Sequence, residues 1–121
     1  MGWIAFYYDI PIFIFINIHI YGNIMNGCAP TVFFGKFEWD EEKESENIRK
    51  HDLDFYTAVL VFLDPNRKIA IDEKHSLTEE RLFCVGSIGN QVATVRFTQR
   101  KNRIRMIGAG FWRAGRKLYE A

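Results

Sequence analysis

Arginines are the side chains of this sequence whose type and clustering could do chemistry. From Arg81 to Tyr119 nine Lys or Arg occur without one Asp or Glu. A guanidinium is a planar, permanently charged fork of donors that matches a phosphate better than a point charge does. Clustered cations release counterions from polyanions, so the block predicts a phosphate-rich partner such as nucleic acid. Arg81, Arg96, Arg105 and Arg113 are the candidates for gripping a phosphate, with Arg103 and Arg116 as further cationic contacts. A basic face that docks an acidic protein, or pairs with the chain's own acids, is the plainer alternative. Proton transfer needs other groups, and "KHSLTEER" places His75, Glu79 and Glu80 just ahead of Arg81. Imidazole ordinarily titrates near neutrality, and a carboxylate beside arginines stays ionised and can accept a proton. His75 also suits an exposed loop, and His51 suits the carbonyl end of a helix. Phe111 and Trp112, next to Arg113, could stack single-stranded bases or could equally be core or partner contacts.

These residues need elements to hold them, and length and charge bound what those can be. A chain of 121 residues, 48% hydrophobic, buries one ordinary core. Residues 37 to 80 carry thirteen acids against six bases, a net of −7 (6 − 13), whereas residues 81 to 119 carry +9. Two opposite fields therefore share one body of formal charge +1. Asp40 is placed to cap a helix through "EEKESENIRKH", acidic at its first turn and basic at its last, with Trp39 and Ile48 as inward contacts. Asp54 precedes a second, mostly apolar helix, "FYTAVLVFL", which "DPNR" ends. Four strands follow, "KIAID", "RLFCVGSI", "QVATVRFTQ" and "RIRMIGA", joined by turns too short for crossovers and hence antiparallel. "RAGRKLYEA" reads as a short basic C-terminal helix weakened by Gly115. The expected fold is α+β: two N-terminal helices, a four-stranded antiparallel sheet and a short C-terminal helix. Strand parity sets Ala93, Val95 and Phe97 on one face and Arg96 on the other, and aligns Arg103, Arg105 and Ile107 opposite Ile104, Met106 and Gly108. Arginines of adjacent strands can thus share a surface. Cys84 sits in an apolar run as a buried thiol, and neither it nor Cys28 has a partner spacing. His19, His51 and His75 are scattered, so no metal set is visible, and the glycine-rich turns lack the lysine of a phosphate-binding loop.

Residues 1–36 differ from all that follows. Isoleucine fills every even position from Ile10 to Ile20, the period of a strand. A membrane helix is interrupted by Asp9, Asn17, His19 and Pro11, and a signal peptide lacks its basic start. A membrane tether over residues 3–21 and a translation start assigned upstream of Met25 are further readings. The segment is treated as an apolar N-terminal extension, an extra strand at most, and residues 37–121 as the domain proper.

The stretches "FEWDEEKESENIRKHDLDFYTAVLVFLDP", "DEKHSLTEERLFCVG" and "RIRMIGAGFWRAGRKLYE" resemble the BrnT family of type II toxin-antitoxin toxins, in order over residues 37–120. That resemblance implies a RelE-like fold and a cytoplasmic, metal-independent endoribonuclease without a cofactor, which arrests translation and growth. It implies a hetero-oligomer with a BrnA-like antitoxin, contact with DNA only through that antitoxin, and no membrane. Many members end the fourth strand with "ISAR" where this chain has Ile107, Gly108, Ala109 and Gly110, so Gly110 replaces an arginine and Arg113 is positioned to supply the charge instead. Metal-free RNA cleavage needs a base for the 2′-hydroxyl, cations for the phosphorane and an acid for the 5′-oxygen. On this reading Arg81, Arg105, Glu80 and His75 are catalytic, and Arg96, Arg103, Arg113, Arg116, Phe111 and Trp112 bind RNA. A non-catalytic module that docks antitoxin or RNA is the alternative.

Overall fold

The computed structural model describes residues 30–121 and, for backbone pairing alone, residues 18–21. The expected α+β class holds, but the sheet is larger and mixed. Its strands are β1 (Ile18–Tyr21), β2 (Thr31–Phe34), β3 (Phe37–Asp40), β4 (Lys68–Ile71), β5 (Leu82–Ile88), β6 (Gln91–Arg100) and β7 (Arg103–Gly110). Six strands in the order β2-β3-β7-β6-β5-β4 form the body, and β1 adds to the β2 edge. The four expected antiparallel strands are β4 to β7. What sequence reading omitted is the hairpin β2–β3, which precedes the helices and joins the sheet through a parallel pairing of β3 with β7. Alternation gives the hairpin away, since Val32, Phe34, Phe37 and Trp39 are buried, while Gly35 turns the chain at φ 59°. The expected division between residues 36 and 37 falls at this turn.

Helix α1 (Glu41–His51) starts where expected, with the Asp40 carboxylate accepting from the amides of Glu42 at 2.8 Å and Lys43 at 3.3 Å. Its inward face is polar rather than apolar. Ile48, expected inside, is 44% exposed, and Glu44 and Asn47 are buried instead. The Glu44 carboxylate accepts from Trp39 Nε1 at 3.1 Å and from the Phe55 amide at 2.9 Å, tying β3 to the second helix. That second helix is one α-helical turn, α2 (Phe55–Ala58), capped by Asp54, and then tightens into a 3₁₀ stretch over Val59–Leu63. β-Branched Val59 and Val61 lower helix propensity there and bury completely against the sheet. T-shaped ring pairs Trp39–Phe55 and Phe62–Phe97 knit this layer to the strands. Cys84 is buried as expected, and burial pushes its thiol pKa up, away from reactivity. Cys28 and His19 lie where no side chain is described.

Helix α3 (Arg113–Glu120) packs on the opposite face of the sheet, against Val85 and Thr94. Lys68 Nζ donates to the carbonyls of Leu118 at 3.0 Å and Ala121 at 2.6 Å, and Tyr119 Oη donates to Asp64 at 2.6 Å. Burial works against ionisation of Asp64, but hydrogen bonds from Tyr119 and the amides of Ser87 and Asn66 prevail and hold its pKa below the ordinary value. A depressed carboxylate contributes stability that is present above its unfolded pKa, about 3.9, and is lost as pH falls through the folded one. The Tyr119 pKa is raised, first by its bond to Asp64. Its contribution is therefore present below about pH 10 and lost as pH rises through the folded value. Amide exchange of α3, corrected for intrinsic rates, is expected to accelerate at both limits, and Asp64→Asn to flatten the acid limb. Equal acid sensitivity in wild type and Asp64→Asn would show that α3 is held by other groups.

Candidate functional site

Register defines what stands on the face that α3 covers only in part. Lys68, Val85, Thr94 and Gly110 lie side by side across β4, β5, β6 and β7, and α3 covers this row. The next row is Ala70, Phe83, Arg96 and Gly108, and the one after it runs Thr98, Arg105, Glu38 and Phe33. Arg100 and Arg103 pair beyond them. At the Gly108 end of the second row α1 comes close, with Asn47 Oδ1 3.7 Å from where a Cβ of Gly108 would stand. The parity argument thus places Arg96, Arg103 and Arg105 together on the face away from Ala93, Val95 and Phe97, all three of which are fully buried. It fails at one position. A register shift beside Arg96/Phe97 pairs Phe97 with Met106 and Arg96 with Gly108, leaving Ile107 as the extra residue and turning Gly108 toward Arg96.

The arginines divide into groups instead of forming one cluster. At the open end, Arg100 holds Glu79 through two hydrogen bonds of 3.1 and 3.2 Å, and Arg81 lies 3.9 Å from the same carboxylate. The Arg100 bonds outweigh desolvation and lower the Glu79 pKa, with Arg81 and Arg105 adding to the effect. Arg105 meets Glu38 at 2.8 Å, and Arg103 reaches it at 3.4 Å while lying over the Phe33 ring at 4.7 Å. Arg96 takes a different position, over the ring of Trp112 at 5.8 Å, with its Nε buried and without a partner. Arg113 and Arg116 extend from α3 beside Phe111, where a shallow groove runs along Asn90 and Gln91, and Arg116 pairs with Glu120 at 3.0 Å.

The proton-transfer candidates separate as well. His75 Nδ1 is 2.8 Å from the buried Asp72 carboxylate, so its ring is anchored within its own loop. Glu80 gives its backbone carbonyl to Thr98 Oγ1 at 2.7 Å and leaves its side chain exposed, so the carboxylate set among arginines is that of its neighbour Glu79. No hydrogen bond or ion pair links His75 or the Glu80 carboxylate to an arginine among the described residues. His51 stands elsewhere, its ring edge-on to Trp112 at 5.1 Å.

Trp112 is the hinge of the arrangement. Its indole lies over Gly110, where a Cβ would come within 2.8 Å of the ring, so the ring occupies the space that a side chain at position 110 would need. Beside it opens a groove of about 430 Å³ between α1 and β7, lined by Lys43, Asn47, Lys50, His51, Arg96 and Trp112 together with the acids Asp40, Glu42 and Glu46. Asn47 builds its wall. Past the Glu38–Arg105 pair β3 leaves β7, and the Asn47 carboxamide takes over the strand's role, accepting from the Ala109 amide at 3.0 Å and donating to its carbonyl at 2.9 Å. Sequence reading places His51 at the end of α1, where it stands, but misses Asn47, Phe83 and the contact of His51 with Trp112. A signal existed, because Glu44, Asn47 and His51 follow one helical stripe of a helix almost devoid of apolar residues.

The side chains on this side of the molecule can hold phosphates, stack bases and move protons. Among the described residues no helix is long and apolar enough to cross a membrane. No curated protein sequence matches the chain. A family model described as the ribonuclease toxin BrnT of type II toxin-antitoxin systems matches residues 39–114, from the end of β3 through the start of α3. The chain therefore belongs to the BrnT family of ribonuclease toxins of type II toxin-antitoxin systems.

Proposed function

We propose that this protein is a metal-independent endoribonuclease that cleaves RNA across the arginine-bearing face of its sheet, inhibits translation and growth, and is neutralised by a BrnA-like antitoxin. The supporting observation is that β6 and β7 bring Arg96, Arg100, Arg103 and Arg105 onto one face, with half-buried Phe83 and Phe33 among them. Guanidinium groups and aromatic rings in alternation suit a single strand, the cations following its phosphates and the rings its bases. Guanidinium, imidazole and carboxylate groups also suffice for acid-base transesterification, which supports a reaction without metal. The antitoxin would cover this face and carry DNA recognition, so that DNA is met only indirectly, and the complex would reside in the cytoplasm. Residues 37–121 form the toxin domain in this reading, and residues 1–36 an extension to it.

Purified chain freed of any partner is expected to cut RNA equally with and without a chelator. RNA left intact in both conditions, yet retarded on a gel, would make the protein a non-catalytic binding module. Arg81→Ala and Arg105→Ala are each expected to weaken RNA binding and cleavage about 10-fold and to reduce the salt dependence of log K by about one phosphate. Thermal unfolding of Arg81→Ala should remain near wild type, since its 3.9 Å contact is with a carboxylate that Arg100 also holds, whereas Arg105→Ala leaves the largely buried Glu38 carboxylate with Arg103 alone and should lower the midpoint. Unchanged binding and salt slope in both variants would remove the open end of the sheet from the RNA path.

A further inference from the structure

We infer that the scissile phosphodiester sits in the groove between α1 and Trp112, gripped by Arg96, with His51 accepting the proton of the attacking 2′-hydroxyl. This rests on the nuclease reading and locates its reaction centre away from Arg81, Glu80 and His75.

Two observations together single out Arg96. Arg81 and Arg100 share Glu79, and Arg103 and Arg105 share Glu38, whereas among the described residues of the basic block Arg96 and Arg113 meet no carboxylate. Buried Nε–H groups without an acceptor occur also on Arg81 and Arg103, but of the two arginines without a carboxylate only half-buried Arg96 has one, and such an orphan is costly unless something accepts from it. A phosphate oxygen is the acceptor that such a fork fits best. Space for it exists because the register shift sets a glycine beside Arg96. A Cβ on Gly108 would lie 3.6 Å from Arg96 and 3.7 Å from Asn47, filling the floor between them. The acidic rim is largely spoken for, since the Asp40 carboxylate caps α1 and Glu46 pairs with Arg49 at 2.6 Å and Lys50 at 3.2 Å, leaving Glu42 as the remaining acid.

His51 is the histidine free to act. Unlike His75, it has no hydrogen-bond partner among the described residues, and its ring and the Arg96 guanidinium meet the same indole. In the step it would serve, the neutral imidazole takes the 2′-hydroxyl proton as the 2′-oxygen bonds to phosphorus and the bond to the 5′-oxygen breaks. The departing 5′-oxygen takes a proton from water, and the imidazolium returns its proton to the hydroxide so formed. The products are a 2′,3′-cyclic phosphate and a 5′-hydroxyl, with no net change in protons.

The test has two arms. In the first, His51→Ala and Arg96→Ala are expected to lose at least about 10²-fold in cleavage, with added imidazole restoring part of the activity of His51→Ala and Arg96→Lys recovering little. Wild-type cleavage by His51→Ala or by Arg96→Ala overturns this placement and leaves the nuclease reading intact, whereas a wild-type chain that cuts no RNA overturns both. In the second arm, adenosine 3′-monophosphate is titrated into the full chain and followed by NMR at the Trp112 indole and Arg96 Nε–H. Saturable shifts at both, lost at Trp112 in Arg96→Ala but retained in Lys74→Ala, a change at an exposed residue outside the arginine-bearing face, are the expected result. Shifts confined to Arg81, Arg100 and Arg105 would move the phosphate to the open end of the sheet and refute the groove.

Discussion

Asn47→Leu is expected to destabilise the protein by about 4 kcal/mol, a large part of the 5–15 kcal/mol that holds a typical domain together. The estimate follows from three hydrogen bonds made by one buried carboxamide. Asn47 Nδ2 donates to the carbonyls of Leu53 at 2.8 Å and Ala109 at 2.9 Å, and Oδ1 accepts from the Ala109 amide at 3.0 Å. Leucine nearly matches asparagine in size but satisfies none of the three backbone groups, and each orphan costs about 1–3 kcal/mol. Position 47 is only 6% exposed, so water cannot readily replace the lost partners. Asn47→Asp tests the same idea from another side, because it keeps the acceptor for the Ala109 amide while turning a carboxylate toward two carbonyl oxygens. Urea unfolding should show both midpoints falling with little change in slope. A wild-type midpoint for Asn47→Leu would mean that the edge of β7 does not depend on this side chain.

The same residue shows why part of the fold was legible and part was not. Strand parity is a local rule, and it placed Arg96, Arg103 and Arg105 on one face because Ala93, Val95, Phe97, Ile104 and Met106 mark the other so plainly. It could not anticipate Gly108, whose orientation depends on an extra residue in the pairing of two strands, a property of neither strand alone. The hairpin β2–β3 was hidden by composition. Its first strand shares the apolar character of the segment before it, and its second ends on the Asp40 that caps α1. Its parallel partner β7 lies more than sixty residues away, where no local pattern announces it. On α1 the expected apolar contact Ile48 is exposed, and the stripe through Glu44, Asn47 and half-buried His51 faces inward instead. A helix with no apolar face must pack through satisfied polar groups or not at all.

Site chemistry was legible in kind more than in place. The basic block and its aromatic neighbours were visible as residue types, but ion pairing is decided between distant elements. Nothing near Arg105 in sequence reveals Glu38, and nothing near Arg100 reveals Glu79. These two carboxylates divide the arginines into occupied and unoccupied guanidinium groups, which reorders the candidates in favour of Arg96. Gly110 gains a reason from the same geometry. With the Trp112 indole folded over it, that position has no room for a side chain, and the indole meets Arg96 as a consequence.

Gly115→Ala sets two rules against each other, and packing is expected to win. Helix propensity alone favours alanine by about 1 kcal/mol, so an isolated α3 would become more helical. Docked, however, a Cβ at position 115 would overlap Thr94 Oγ1 and lie 3.2 Å from Thr94 Cβ and 3.3 Å from Val85 Cγ1. Rotating Thr94 puts its methyl or its hydrogen where the hydroxyl stands, but the Cβ itself and Val85 Cγ1 stay tight in every rotamer and the backbone is fixed in the middle of β6, so the helix must retreat. Retreat strains the Lys68 bonds to Leu118 and Ala121 and the Tyr119 bond to Asp64, giving a net loss of about 2–3 kcal/mol and faster amide exchange throughout α3. Thr94→Ala should rescue the variant, because it removes the clashing oxygen, which has no hydrogen-bond partner to lose. A Gly115→Ala protein as stable as wild type, with α3 still protected, would show that the helix can shift without cost. If α3 does lift, Trp112 at its N-terminus loses its seat over Gly110 and its contact with Arg96. RNA cleavage should then fall with α3 protection across the series and return in the Thr94→Ala, Gly115→Ala double variant, although neither position touches the groove. That co-variation would tie α3 docking to the geometry around Arg96, since a merely cosmetic terminal helix would let stability and cleavage vary independently.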